Sequence, residues 1–176
     1  MATHPDPHLT RDWKLSDGTV VSIRPIRPED AAIEGKFVKS LSDESRYYRF
    51  MYAMKELTPE MLSRFTRIDY DLEMALIAVV GRPPRETQIG VARYSTLADG
   101  KTCEFAVVVA DKWQGRGVAT HLVRPLIEHA RHKGLSRMEG FVLFENRNML
   151  EFAKGVGFRV AADPDDPAVA LISLDL

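Results

Sequence analysis

Val107-Val108-Val109-Ala110-Asp111-Lys112-Trp113-Gln114-Gly115-Arg116-Gly117-Val118-Ala119-Thr120 passes from a β-branched apolar run, through a turn with two glycines, into a helix-forming segment. Glycine lets backbone N–H groups come close to an anion. A helix start leaves its first N–H groups unpaired and adds the positive end of the helix dipole. Strand, turn and helix together suit a diphosphate, and Arg116 adds a positive charge. Glycine spacing alone is equally compatible with an ordinary strand-to-helix turn. A dinucleotide fingerprint fits poorly. Gly115-x-Gly117-x-x-Thr120 lacks the third glycine, and no first βαβ half precedes it.

The pattern extends in both directions. Thr102–Ala110, Gln88–Thr96 and Met74–Val80 are rich in β-branched and apolar residues and read as strands. Gly81-Arg82-Pro83-Pro84 and Asp99-Gly100 supply the turns between them. Upstream, Pro28 with Glu29 and Asp30 starts a helix that runs to Leu41. Ser42 caps a second helix through Met51, and Thr58-Pro59-Glu60 opens a third through Ile68. Asp17-Gly18, between Trp13-Lys14-Leu15 and Val20-Val21-Ser22-Ile23, reads as a hairpin turn, and Pro25 ends its second strand. Downstream, residues 116–133 form a helix with Val118, Leu122, Leu126 and Ile127 on one side. Pro125 is expected to kink it, and Gly134 stops it. Arg137–Phe144 is a strand, Asn146–Val156 a helix, and Phe158–Val160 with Val169–Leu174 close the sheet. Residues 1–10 offer little to bury and read as a mobile tail. Residues 11–176 form one mixed α/β domain.

Composition limits the function classes. The chain has 176 residues, 45% of them hydrophobic, which suits one domain with a substantial core. Lysine plus arginine total 24 against 25 acidic residues, which gives no support for nucleic-acid binding. The single cysteine, Cys103, excludes an intramolecular disulfide. Residues 1–10 lack the apolar core of a signal peptide. Apolar runs such as Met74–Val80 and Phe105–Ala110 are too short to span a bilayer. A soluble cytoplasmic protein without a membrane segment is expected.

Gln114-Gly115-Arg116-Gly117-Val118-Ala119 matches the pattern Gln-x-x-Gly-x-Gly/Ala. Asn146-Arg147-Asn148-Met149, followed by Lys154-Gly155-Val156-Gly157-Phe158, supplies a second motif downstream. These motifs resemble those of the GNAT family of N-acetyltransferases. The resemblance implies a mixed, mostly antiparallel central sheet flanked by helices, with acetyl-CoA as cosubstrate. It also implies a splayed strand whose exposed backbone pairs with the cosubstrate's pantetheine arm, a role that falls on Val107, Val108 and Val109. The diphosphate falls to Gln114, Gly115, Arg116, Gly117, Val118, Ala119 and Thr120, and Asn146 approaches the arm. Leu41–Met51, Leu57–Leu62 and Ile68–Asp71 resemble a narrower group, the bacterial Pat-type protein lysine acetyltransferases. This narrower resemblance implies a lysine acceptor on another protein, such as an acyl-CoA synthetase. Acetylation of a small amine and silent binding of an acyl-CoA are the alternatives.

Acetylation of an alkylamine needs a proton acceptor, because the amine is mostly protonated near neutral pH at a pKa of ~10.4. Glu104 stands at the start of the strand that leads to the loop. Strand alternation puts Glu104, Ala106 and Val108 on one face and Cys103, Phe105 and Val107 on the other. Taken alone, Glu104 reads as a solvated strand-end residue. The resemblance assigns it the role of catalytic base. The tyrosine that many relatives use as general acid falls at Ala153 here, leaving Tyr47, Tyr48 or water. Cys103 reads as a buried structural cysteine. His121, His129 and His132 lack a carboxylate-rich partner set, so no metal is expected. The run Arg46–Arg49 either faces solvent or packs near the acyl site. Asp69, Asp71 and Glu73 either attract a cationic acceptor or solvate a loop.

Overall fold

The computed structural model describes residues 7–176. Residues 1–6 of the expected tail lie outside the described residues, while Leu9 packs against the core. The chain begins with the hairpin strands β1 (Arg11–Lys14) and β2 (Val20–Pro25). The turn needs glycine, because Gly18 has φ +89°, and Asp17 accepts a bond from Thr19 N at 2.9 Å. Helices α1 (Ala31–Ser40), α2 (Asp43–Phe50) and α3 (Pro59–Thr66) follow. Residues 28–30, expected in the first helix, form a 3-10 turn before it. Ser42 and Thr58 cap α2 and α3 by accepting from Ser45 N and Met61 N.

A meander of β3 (Glu73–Val80), β4 (Thr87–Thr96) and β5 (Thr102–Val109) leads into α4 (Val118–His132). Then come β6 (Arg137–Leu143), α5 (Arg147–Val156), β7 (Arg159–Ala162) and β8 (Val169–Asp175). The eight strands make one sheet in the order β1-β2-β3-β4-β5-β6-β8-β7. All neighbouring pairs are antiparallel except β5 with β6.

One face of the sheet carries the core that α4 seals. Val118, Leu122, Val123, Leu126, Ile127 and Ala130 of α4 are buried there, each larger side chain contributing on the order of 2 kcal/mol. The helix runs through Pro125, which forfeits the N–H bond to the His121 carbonyl. Gly90 lets the start of α4 lie close to β4, since a Cβ there would stand 3.0 Å from Leu122 Cδ1 and 3.4 Å from Val118 Cγ1. The helix start is thereby held beside the end of β5. The opposite face carries a second core, formed with the first helices and including Phe37, Val38, Leu41, Ile77 and Val91.

Candidate active site

β5 has two neighbours for only part of its length. It pairs with β4 from Cys103 to Val109 but with β6 only at Thr102, Cys103 and Glu104. Beyond Glu104 the two parallel strands separate, and a fork opens between 105–109 and 140–143. At its apex a Cβ on Gly140 would stand 3.1 Å from the Phe105 carbonyl oxygen. The missing side chain lets the strands meet there before they part.

The register decides which backbone groups face the fork. Ala110 N donates to Ile89 O, and Leu97 N donates to Thr102 O. The register between them is unbroken, so even-numbered residues of β5 exchange bonds with β4. Val107 and Val109 therefore turn their N–H and C=O groups toward the fork, where no strand meets them. Val108 directs its backbone to β4 and offers only its side chain.

The loop closes the wide end of the fork. Gly115 and Gly117 have φ of +72° and +84°, the left-handed region that glycine tolerates best. Gly117 is the N-cap of α4, so the helix begins at Val118, two residues later than its sequence pattern indicates. The first turn closes with His121 N donating to Gly117 O at 3.2 Å, which leaves Val118, Ala119 and Thr120 N–H at the open helix end. Arg116 turns away from the fork, pairing with Asp17 of the hairpin at 2.5 Å and stacking over Trp113 at 4.8 Å.

Helix α2 runs along the fork as its second wall. The Asp111 carboxylate accepts from Ser42 N (3.0 Å), Ser42 Oγ (2.8 Å) and Ser45 Oγ (2.9 Å). Burial pushes the Asp111 carboxyl up, but these donors outweigh it and hold the group below its ordinary value. Gln114 Nε2 donates to Val109 O at 3.0 Å and to Ser45 Oγ at 3.4 Å, tying loop, strand and helix together. Between these walls lies a cavity of about 670 Å³. It is lined by Val107–Val109, Gln114, Gly115, Gly117–Thr120 and Asn146. Glu44, Ser45, Tyr48 and Arg49 of α2 line it from the other side. Asn146 also caps α5, accepting from Met149 N at 3.3 Å.

Glu104 sits at the fork's apex, exposed and outside the cavity lining. It faces away from the buried Cys103 and Phe105, toward the side that carries Ala106 and Val108. Across the sheet its neighbours are Ser95 on β4 and Glu139 on β6. Ser95 Oγ donates to Glu73 at 3.0 Å, and Glu139 pairs with Arg137 at 3.1 Å. Glu73 also accepts from Asp69 N, and Asp69 from Asp71 N, so these acids brace their own loop.

Other chemically capable groups lie elsewhere. Cys103 is fully buried, and desolvation, with the Glu139 charge, pushes its thiol up to about 12. His121 stacks on Trp13 and donates from Nδ1 to Gly117 O at 2.9 Å, while His129 bonds the Tyr94 hydroxyl at 2.7 Å. No cluster of three or more His, Cys, Asp or Glu that could hold a metal occurs among the described residues. No helix among them is long and apolar enough to cross a membrane.

Known proteins match this chain in sequence and in fold. The family model described as the acetyltransferase (GNAT) domain matches residues 21–159. The chain belongs to the GNAT acetyltransferase family. An acetyltransferase of Pseudomonas aeruginosa is 36% identical over 162 residues, covering 92% of this chain and 87% of that protein. The acetyltransferase Pat of Mycolicibacterium smegmatis is 27% identical over 136 residues, 77% of this chain but 40% of that protein. Among solved structures, the GNAT domain of Streptomyces lividans Pat superimposes with a TM-score of 0.89 at 30% identity, covering 98% of this chain and all of that domain.

This GNAT acetyltransferase uses acetyl-CoA as its cosubstrate, and the cavity suits that molecule. Unpaired backbone N–H and C=O groups along a strand can pair with an extended amide-bearing chain as a further strand would, and an open helix N-terminus can accept a diphosphate. For α2, the sequence leaves Arg46–Arg49 either facing solvent or packed near the acyl site, and it does not single out Glu44 or Ser45. Glu44, Ser45, Tyr48 and Arg49 recur at helical spacing, yet only the tertiary bonds to Asp111 show that this face turns to the cavity. Of the two tyrosines considered as acids, Tyr48 lines the cavity and Tyr47 does not. Desolvation and the Glu44 and Glu145 charges hold the Tyr48 phenol above its ordinary value, so it keeps its proton at neutral pH.

Proposed function

We propose that the enzyme transfers acetyl from acetyl-CoA to a lysine side chain on another protein, such as an acyl-CoA synthetase, within one ternary complex. The observation that carries the reading is the parting of β5 from β6 immediately after Glu104. Glu104 is solvent-exposed where the strands part, which supports a carboxylate that meets the acceptor beside the slot that suits the donor.

The chain's groups divide the work. Val107, and Val109 through its N–H, offer backbone groups to the donor's arm while the Val109 carbonyl accepts from Gln114, and the Val107 N–H polarises the thioester carbonyl. Gln114, Gly115 and Gly117–Thr120 hold the diphosphate, with Asn146 beside the arm. Arg116 adds charge once it leaves Asp17. Glu104 accepts the proton of the ammonium, directly or through water, so that the neutral amine attacks. Tyr48, which lines the same cavity, returns a proton to the departing thiolate. The raised Cys103 pKa and its burial disfavour an acyl-cysteine route and support direct transfer.

A protein acceptor is supported by the resemblance of Leu41–Met51 and Ile68–Asp71 to the Pat-type enzymes, and by the likeness to the Streptomyces lividans Pat domain. The test supplies labelled acetyl-CoA with either desalted lysate proteins or a panel of polyamines and amino acids. Labelled lysine on protein is expected. Rapid turnover of small amines with the proteins left unlabelled would sink the protein-acceptor reading.

A further inference from the structure

Arg46 and Arg49 stand three residues apart on α2 and meet opposite surroundings. Arg46 is buried and fully engaged with the backbone. It donates to the carbonyls of Met54 at 3.0 Å, Lys39 at 3.1 Å and Leu41, and it pairs with Asp43. Arg49 instead lines the cavity. Its guanidinium lies 4.7 Å from the centre of the Phe50 ring and has no hydrogen bond or ion pair among the described residues. Desolvation lowers its pKa to about 10, and repulsion from Arg93 adds to the effect. The Glu34 carboxylate acts on it only from a distance, being engaged by Gln88 and Arg93. A half-buried cation that faces a cavity with no hydrogen-bond partner is favoured by an anion that meets it there.

Its place along the fork says which anion. Ser45, one helical turn earlier, is bonded to Asp111 and Gln114 at the diphosphate end. Arg49 feels the charges of Arg93 and Glu104. Arg93 pairs with Ala106 across β4 and β5, so these groups mark the apex end. The CoA phosphates therefore lie at the far end from Arg49. Val107, which faces the thioester in the proposed arrangement, is one residue from Ala106, about 3.3 Å along the strand. Ala106 lines the cavity at that level with only a methyl group. Ala106, Val107 and Arg49 line the same cavity, and Arg49 lies on its apex side, the direction in which an acyl chain longer than acetyl would extend past the thioester.

We propose that Arg49 receives the terminal carboxylate of a short dicarboxylic acyl-CoA of the succinyl type, so that the enzyme transfers such groups as well as acetyl. The inference rests on the donor arrangement given under the proposed function. The step keeps the same balance as acetyl transfer. The amine nitrogen bonds to the acyl carbon, and the carbon–sulfur bond breaks with its electron pair leaving on the CoA thiolate. The ammonium proton passes to Glu104, the second proton that the nitrogen sheds as the amide forms ends on the CoA sulfur, which leaves as the thiol, and the distal carboxylate stays ionised against Arg49 throughout.

Calorimetry without any acceptor tests the proposal. CoA, acetyl-CoA and succinyl-CoA are titrated into the wild type, Arg49→Gln and Arg49→Lys. In Arg49→Gln the ratio of succinyl-CoA to acetyl-CoA affinity should fall about tenfold or more, and Arg49→Lys should recover part of it. CoA binding reports whether each variant is folded. Refusal of succinyl-CoA by a wild type that binds acetyl-CoA overturns this inference and leaves the donor arrangement standing. If none of the three ligands binds, both fail. A ratio that falls less than tenfold also overturns the proposal. That outcome, combined with a raised KM for an amino-acid acceptor, assigns the guanidinium to the acceptor's carboxylate.

Discussion

The two ends of β5 differ in what they have left to offer. From Thr102 to Glu104 the strand lies between β4 and β6, and its backbone bonds are used on both sides. From Phe105 to Val109 it has β4 alone. Where the sheet is complete, only a side chain is free to act, and the one presented is the Glu104 carboxylate. Where the sheet is incomplete, the backbone itself is free, and recognition does not depend on which apolar side chains are present. The first end should be chemically sensitive to a single substitution. The second should be sensitive to geometry and to the charge placed at its mouth.

The sharpest way to break this division is at the complete end. Glu104→Gln keeps size and hydrogen bonding but removes the proposed proton acceptor, so turnover should fall by roughly 10²–10⁴. Acetyl-CoA affinity should hardly move, because Glu104 is outside the cavity lining. The residual rate should keep rising with pH toward the acceptor amine's own pKa. Wild-type turnover across neutral pH would hand the proton to water or to another acid such as Glu139.

A smaller effect is expected at the open end. Gly117→Glu forces a side chain onto a residue at φ +84° and sets a negative charge at the mouth of the proposed diphosphate site. Acetyl-CoA affinity measured by calorimetry should drop about tenfold or more, roughly 1.4 kcal/mol. A folded variant with unchanged affinity would remove the loop from the donor site.

The least effect concerns the buried side of β5. With its thiol pushed up to about 12, Cys103 binds its proton throughout the neutral range, and the thiolate appears only at strongly alkaline pH. Iodoacetamide at pH 8 should leave the native enzyme unmodified by mass spectrometry and fully active. Rapid alkylation with loss of turnover would reopen the covalent route.

Local chemistry made most elements legible. The Asp17-Gly18 turn and the Ser42 and Thr58 caps lie where their short-range bonds place them. Boundaries shifted where a local cap intervened. Gly117 delays α4 to Val118, and the third helix ends at Thr66 rather than Ile68. The fork has no short-range signal of its own, since it depends on where two strands stop pairing. The family resemblance supplied it, with Gly140 as the residue whose small size permits it. Which face of α2 meets the cavity was left open in the sequence for a related reason. Ser42 and Asp111 are 69 residues apart in the chain, and Arg116 and Asp17 are 99 apart. No local pattern announces either pair, so Arg49 could not be distinguished from Arg46 by sequence.

The most direct measurement follows the individual amides of β5. Hydrogen exchange of the free enzyme and of its acetyl-CoA complex separates odd from even positions on the same strand. Ala106 and Val108 are bonded to β4 in either state and should change little. Val107 and Val109, whose N–H groups face the open fork, should gain protection selectively when acetyl-CoA binds. Equal protection at all four amides, or none at Val107 and Val109 under saturating acetyl-CoA, would contradict an arm that docks as an added strand.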